Sequence, residues 1–302
     1  MPKLDLRGII VALVTPFDAN DRLDEQRLRT HVDFVLANGV HGLFPCGSTG
    51  EGPKMRVEER NRVIDVVVDQ TNGRAPVLAG VAAASTIEGV ESTKYAENAG
   101  ADAAVILPPY YYRPSQAMLR KHYETIAQAT SLPILLYNIP EFAGYSLSVD
   151  LVTTLAEAGT IVGIKDSSGD MVKFHELVRT IGSKINLLQG LEPLYISSFV
   201  LGIRGAVSGD ANLVPRLAVQ VYEDFMNGNL EKAIENQFKL ALLDVTLSKS
   251  DFIEAIKHGL THLGMPSGHA RKPSMPLSAS DRAELEKVLV SVELRGSVTK
   301  QQ

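Results

Sequence analysis

Cysteine is nearly absent from these 302 residues. The one present, Cys46, excludes an intramolecular disulfide and suits a reducing compartment, so the expected location is the cytoplasm. Also missing is any apolar run near the roughly 18 residues that a membrane span needs, and no membrane partner is expected. The amino terminus carries neither a basic leader nor a small-residue cleavage site. Asp5 and Arg7 precede a short apolar run, Ile9 to Val14, which stops at Thr15-Pro16-Phe17-Asp18 and reads as a first strand. Clusters of lysine and arginine are lacking too. With a formal net charge of -5 and a pI near 5.8, the chain offers no electrostatic footprint for nucleic acid. Small-molecule chemistry is what these absences leave.

With 45% apolar and 22% charged residues, the chain can bury a large core. Its length fits either two domains or one α/β barrel. Short apolar runs begin near Ile9, Val40, Pro76, Ala103, Leu132, Ile161, Ile185 and Arg204. Between them lie segments with helical spacing: Leu23 to Leu36, Val57 to Val68, Ile87 to Ala99, Met118 to Ala129, Val149 to Ala158, Val172 to Ile181 and Leu194 to Leu201. Strand then helix, repeated, predicts a parallel sheet with crossovers, and units of similar length predict closure into a (β/α)8 TIM barrel. A doubly wound open sheet is the alternative, because periodicity cannot reveal closure. After about residue 226 no strand pattern returns. Segments near 229–246, 251–263 and 279–293 read as helices. The expected organisation is a barrel over 1–225 and a C-terminal helical extension over 226–302.

One lysine organises the rest. In Ile161-Val162-Gly163-Ile164-Lys165-Asp166-Ser167-Ser168-Gly169, Lys165 stands where a buried strand gives way to a loop. Burial disfavours the charged form of an amine, and a neutral amine attacks carbonyl carbon. The plain alternative is a strand-end lysine whose stem packs while its head reaches water or pairs with Asp166. In a barrel, active groups gather at the C-terminal strand ends. There the sequence supplies Phe44-Pro45-Cys46-Gly47-Ser48-Thr49-Gly50-Glu51-Gly52 after strand two, Pro108-Pro109-Tyr110-Tyr111-Tyr112-Arg113-Pro114 after strand four, and Tyr137-Asn138-Ile139-Pro140 at the end of strand five.

Each motif also has a structural reading. The glycines around Ser48 and Thr49 let amides and hydroxyls converge on an anion, or merely make a tight turn. Pro53 stands where a phosphate loop of the GxxxxGK[ST] type would carry its lysine. The tyrosine run could be a packing cluster or a subunit contact. Cys46 reads as a small buried residue rather than a reactive thiol. His258 and His262 have metal-binding spacing on a predicted helix, but Gly259 replaces the glutamate of HExxH and a third ligand is not evident. Together the strand-end groups describe imine chemistry: Lys165 as the amine, Tyr137 as the proton shuttle, and the Ser48-Thr49 loop as the cradle for a carboxylate. The protonated imine is an electron sink, so C–C bonds next to it can form or break without a metal or cofactor.

From Gly8 to about Leu289 the chain resembles the dihydrodipicolinate synthase / N-acetylneuraminate lyase family, pyruvate-dependent class I aldolases. The resemblance is carried by Gly47-Ser48-Thr49-Gly50-Glu51, Pro109-Tyr110-Tyr111-Tyr112-Arg113-Pro114, Tyr137-Asn138-Ile139-Pro140 and Gly163-Ile164-Lys165-Asp166-Ser167-Ser168-Gly169, in the family's order and spacing. It implies a Schiff base between Lys165 and pyruvate, Tyr137 as proton relay, and Ser48 and Thr49 on the pyruvate carboxylate. It also implies Ser48 in the relay itself and Tyr111 as a residue lent to a neighbouring subunit, so a dimer or tetramer is expected. Val207 matches a strand-eight position whose backbone lies near pyruvate.

One departure bears on substrate. Where the synthase branch usually has an arginine two residues past the proline, this chain has Phe142. A phenyl ring cannot hold a carboxylate in two hydrogen bonds. Phe142 therefore points to the sugar-acid aldolase branch, with Glu192 and Ser208 as candidates for binding hydroxyls of a small aldehyde, or as structural residues. The leading expectation is reversible, metal-independent cleavage of a 2-keto-3-deoxy sugar acid to pyruvate and an aldehyde. The alternative is condensation of pyruvate with aspartate semialdehyde, with Arg113 substituting for the missing arginine. Two more distant readings are a pyruvate-binding sensor without chemistry and a metal-dependent aldolase using His258 and His262.

Overall fold

The structure, a computed structural model, describes residues 4–293. Eight strands alternate with helices: β1 (Gly8–Ala12), β2 (Gly42–Phe44), β3 (Leu78–Val81), β4 (Ala103–Ile106), β5 (Ile134–Asn138), β6 (Gly163–Asp166), β7 (Asn186–Gln189) and β8 (Gly205–Ser208). The helices are α1 (Glu25–Ala37), α2 (Val57–Thr71), α3 (Thr86–Asn98), α4 (Gln116–Gln128), a short α5 (Pro140–Ala143), α6 (Val149–Glu157), α7 (Met171–Ile181), α8 (Tyr195–Val200) and α9 (Pro215–Met226). Three more follow: α10 (Leu230–Leu247), α11 (Phe252–His262) and α12 (Ala279–Glu293). Each strand falls within two residues of its predicted start. Helix α9, absent from the predicted set, begins with Pro215, whose fixed φ and missing amide suit a first helical position.

All neighbours pair in parallel, in the order β2-β1-β8-β7-β6-β5-β4-β3. A further parallel bridge, Leu43 to Val77, joins the two ends. The sheet is therefore a closed (β/α)8 barrel, not a doubly wound sheet. Side chains alternate across each strand. In β1, Ile10 and Ala12 belong to the inner core with Phe44, Leu135, Tyr137, Leu188 and Val207, while Ile9 and Val11 pack outward under the helices. The helices begin where short polar side chains accept an otherwise unpaired amide: Asp24 from Arg27, Ser115 from Met118, Ser148 from Leu151 and Asp170 from Lys173. None of the helices among the described residues is long and apolar enough to cross a membrane.

Candidate active site

Strand register brings the central pair together. Tyr137 of β5 lies opposite Lys165 of β6, and residues level with each other on adjacent parallel strands face the same way. Since Tyr137 faces the interior, so does Lys165. Lys165 Nζ reaches Tyr137 Oη at 3.1 Å and is only 5% exposed. Nζ also lies 4.2 Å from the centre of the Tyr137 ring and 5.1 Å from that of Phe44. Aromatic faces stabilise positive charge, whether on an ammonium or on a protonated imine. Asp166 points to the opposite side of the strand. Its carboxylate accepts from Asn138 Nδ2 at 2.7 Å and from Ser168 N at 3.0 Å, so it does not neutralise Lys165.

Two residues that sequence reasoning did not single out shape the amine's surroundings. Phe44 supplies an aromatic wall, packed edge-on against Tyr137. Gly190, just past β7, leaves room for the lysine stem: a Cβ there would sit 2.8 Å from Lys165 Cε. Neither had a local signal, because each acts through a contact made across the barrel.

The Ser48 loop closes over this pair. Ser48 Oγ lies 3.5 Å from Tyr137 Oη, which continues the chain of polar atoms from Lys165. The amides of Ser48 and Thr49 donate to no protein acceptor among the described residues, so both can serve an anion. Thr49 Oγ1 lies beside Gly209, at the end of β8. The glycines permit close backbone approach: a Cβ on Gly50 would come 2.7 Å from Leu13 O, and one on Gly80 would come 2.5 Å from Cys46 O. Thr15 Oγ1 donates to Gly50 O at 2.6 Å and fixes the loop to the segment that follows β1. Cys46 is fully buried, and burial pushes its thiol up to about 12, which makes it a packing residue.

The loop is anchored from below by Glu51, a buried residue with φ of +57°. Glu51 Oε1 accepts from Lys257 Nζ at 2.7 Å, while Oε2 accepts from Arg271 N at 2.8 Å and Lys54 Nζ at 3.2 Å. Lys257 belongs to α11, so the C-terminal helices support the Ser48 loop directly. Above it opens a cavity of about 260 Å³ lined by Ser48, Lys54, Leu107, Tyr110, Phe142 and Ile253.

The remaining candidates fall in different places. Val207 faces the interior, and its carbonyl accepts from Tyr195 Oη at 3.0 Å. Ser208, the next residue, therefore faces outward, where its hydroxyl donates to Glu192 Oε1 at 2.9 Å. Both are buried, and they bond to each other and to neighbouring backbone rather than to the lysine-tyrosine pair. Tyr111 stands 90% exposed with φ of +78°, its ring edge-on to Tyr112. Phe142, at the cavity rim, and Arg113 are both exposed. His258 Nε2 contacts Glu286 Oε1 of α12 at 2.9 Å, and His262 Nδ1 comes within 3.8 Å of the same oxygen. The histidine pair thus joins two C-terminal helices, far in sequence from every strand end.

A buried amine paired with a phenol at a barrel's C-terminal mouth places the chain among enzymes that activate a carbonyl through lysine. Comparison with known proteins makes the class particular. The model of the "Dihydrodipicolinate synthetase family" matches residues 5–292, and the chain belongs to that family. Its enzymes are pyruvate-dependent class I aldolases that use a lysine Schiff base and no metal. A curated relative, the 4-hydroxy-tetrahydrodipicolinate synthase of Methanothrix thermoacetophila, is 36% identical over 291 residues, covering 95% of this chain and 97% of the relative. Among solved structures, dihydrodipicolinate synthase from Acinetobacter baumannii complexed with pyruvate superposes with a TM-score of 0.92 at 33% identity, covering 95% and 99% of the two chains. YagE from E. coli K12, a prophage protein of the same family in complex with pyruvate, gives 0.91 at 30% identity, covering 95% and 98%.

Proposed function

We propose that Lys165 Nζ attacks the keto carbon of pyruvate and that Tyr137 carries the proton which converts the carbinolamine hydroxyl into departing water. The observation that carries this is the 3.1 Å contact between amine and phenol inside a buried mouth. Ser48 extends the relay, and the free amides of Ser48 and Thr49 hold the pyruvate carboxylate. Loss of a methyl proton from the protonated imine gives an enamine, whose carbon adds to an aldehyde; hydrolysis then frees the product and the lysine. Tyr111, fully extended into solvent on a strained backbone, fits a residue that completes a neighbouring copy's site, so the working unit is at least a dimer.

The electrophile has two readings. Relatives named 4-hydroxy-tetrahydrodipicolinate synthase favour condensation of pyruvate with aspartate semialdehyde. Phe142 alone ranks cleavage of a 2-keto-3-deoxy sugar acid first; the named relatives reverse that order, and Phe142 remains the observation for the second reading. In the first reading exposed Arg113 meets the carboxylate that Phe142 cannot.

Borohydride added with pyruvate is expected to fix one reduced pyruvate on Lys165. No added mass, or mass on another lysine, refutes the mechanism. Tyr137→Phe should lower kcat about 10²- to 10³-fold while trapping persists, because the amine remains but its proton shuttle is lost. Turnover of pyruvate with aspartate semialdehyde should exceed turnover with glyceraldehyde; the reverse order assigns the enzyme to sugar acids.

A further inference from the structure

On the outer side of the barrel wall, two loops and a C-terminal helix bring three carboxylates together. Glu192 opens the 3-10 turn after β7, Asp210 opens the one after β8, and Asp244 projects from α10. One oxygen from each lies within 4.8 Å of the others. Asp210 is completely buried, and neither of its carboxylate oxygens has a hydrogen-bond partner. Glu192 is only partly provided for. Its Oε1 accepts from Ser208 Oγ at 2.9 Å, Gly209 N at 2.6 Å and Asp210 N at 3.2 Å.

Such a cluster is costly as it stands. A buried carboxylate without a partner costs several kcal/mol, and three in one place repel each other. Among the described residues none of the three pairs with a lysine, arginine or histidine. Something positive must therefore share the cluster, either protons or a cation.

We propose that Glu192, Asp210 and Asp244 bind one hard divalent cation, Ca²⁺, Mg²⁺ or Mn²⁺, which fastens the loop after β8 to α10. All-oxygen, carboxylate-rich donor sets select these ions. With metal–oxygen bonds of roughly 2.0–2.6 Å, oxygens on opposite sides of such an ion stand about 4–5 Å apart, so the observed spread fits a shared ion. Both unpartnered Asp210 oxygens become ligands. The site is structural and separate from the imine chemistry: Ser208 turns outward next to Val207, and the β7 and β8 loops are already joined through Glu192 Oε1. Gln237 of α10 adds a second tie, donating to Glu192 O at 2.7 Å.

The test uses the full-length protein, stripped with chelator and then given CaCl₂, MgCl₂ or MnCl₂ singly. At least one of the three should leave one ion per chain after gel filtration, measured by elemental mass spectrometry. At a hundredfold excess over Kd it should raise the unfolding midpoint by about 5 °C. Because the ion displaces protons, binding should be tighter at pH 8 than at pH 6. Asp210→Asn should abolish both the stoichiometry and the shift, and in chelator should be more stable than the wild type. Asp244→Asn, at a half-buried position, should also lose the ion and provides the comparison if the first variant folds poorly. Absence of binding by all three ions at millimolar concentration overturns the proposal and assigns the cluster to shared protons. Equal binding by wild type and both variants overturns it as well.

Discussion

Replacing Lys257 by methionine should weaken both the fold and the hold on pyruvate, though Lys257 lies in the C-terminal extension. Its side chain is completely buried, with Nζ 2.7 Å from Glu51 Oε1, 2.9 Å from His269 O and 4.5 Å from the centre of the Phe17 ring. Methionine fills similar volume but leaves Glu51, itself buried, with only the Arg271 amide and half-buried Lys54. Breaking one side of a buried ion pair typically costs about 3–5 kcal/mol. For a chain of this size that is a fall in midpoint of roughly 6–15 °C. The effect should reach the site because Glu51 N donates to Ser48 O at 3.0 Å, and Ser48 is the residue next to Tyr137. Moving the Ser48 amide away from the carboxylate it is proposed to hold weakens a charge-assisted hydrogen bond worth about 1.5–3 kcal/mol, so KM for pyruvate should rise about tenfold or more. Urea unfolding and steady-state kinetics measure the two effects, and the double variant Lys257→Met with Glu51→Gln should recover much of the stability by removing the stranded charge. A single variant that loses less than about 1 kcal/mol and keeps its KM would refute this account of the anchor.

Gly190→Ala should misplace Lys165, since the new Cβ would sit 2.8 Å from Lys165 Cε and closer still to Ser167 Oγ. A loss in kcat/KM of about 10²-fold with only about 1–3 kcal/mol of destabilisation is expected; unchanged kinetics would remove Gly190 from the site. Acid should destabilise the fold through His31, which burial holds down to about 4 while its Nε2 contacts Asn212 Oδ1 at 2.8 Å. Between about pH 6.5 and 4 the unfolded chain takes up a proton that folded His31 refuses, so this contribution is complete near pH 7 and falls as pH falls. In chelator-treated protein Asp244, raised to about 7, acts with the opposite sign over much of that window. Comparison with His31→Asn isolates the histidine: from pH 7 to 4.5 the variant should lose about 2–3 kcal/mol less than the wild type in urea titrations, and equal losses would contradict the assignment.

The strand starts, the alternating architecture and the lysine at the end of β6 were all legible locally, because apolar runs and turn residues report on a few neighbours at a time. Even the meeting of Lys165 with Tyr137 needed only the right register between consecutive strands. Sequence by itself therefore determined the repeating unit and singled out the lysine and tyrosine that meet inside the barrel mouth. Tertiary structure decided whatever depends on partners far apart in the chain: the closing bridge from Leu43 to Val77, the rings of Phe44 and Tyr137 around the amine, the room left by Gly190, and the Lys257–Glu51 anchor beneath the Ser48 loop. It also turned Ser208 toward Glu192 on the outer face of β8, because strand side chains alternate and Val207 takes the inner position. Periodicity identifies a strand but does not say which of its faces will be inside until the barrel has closed around it.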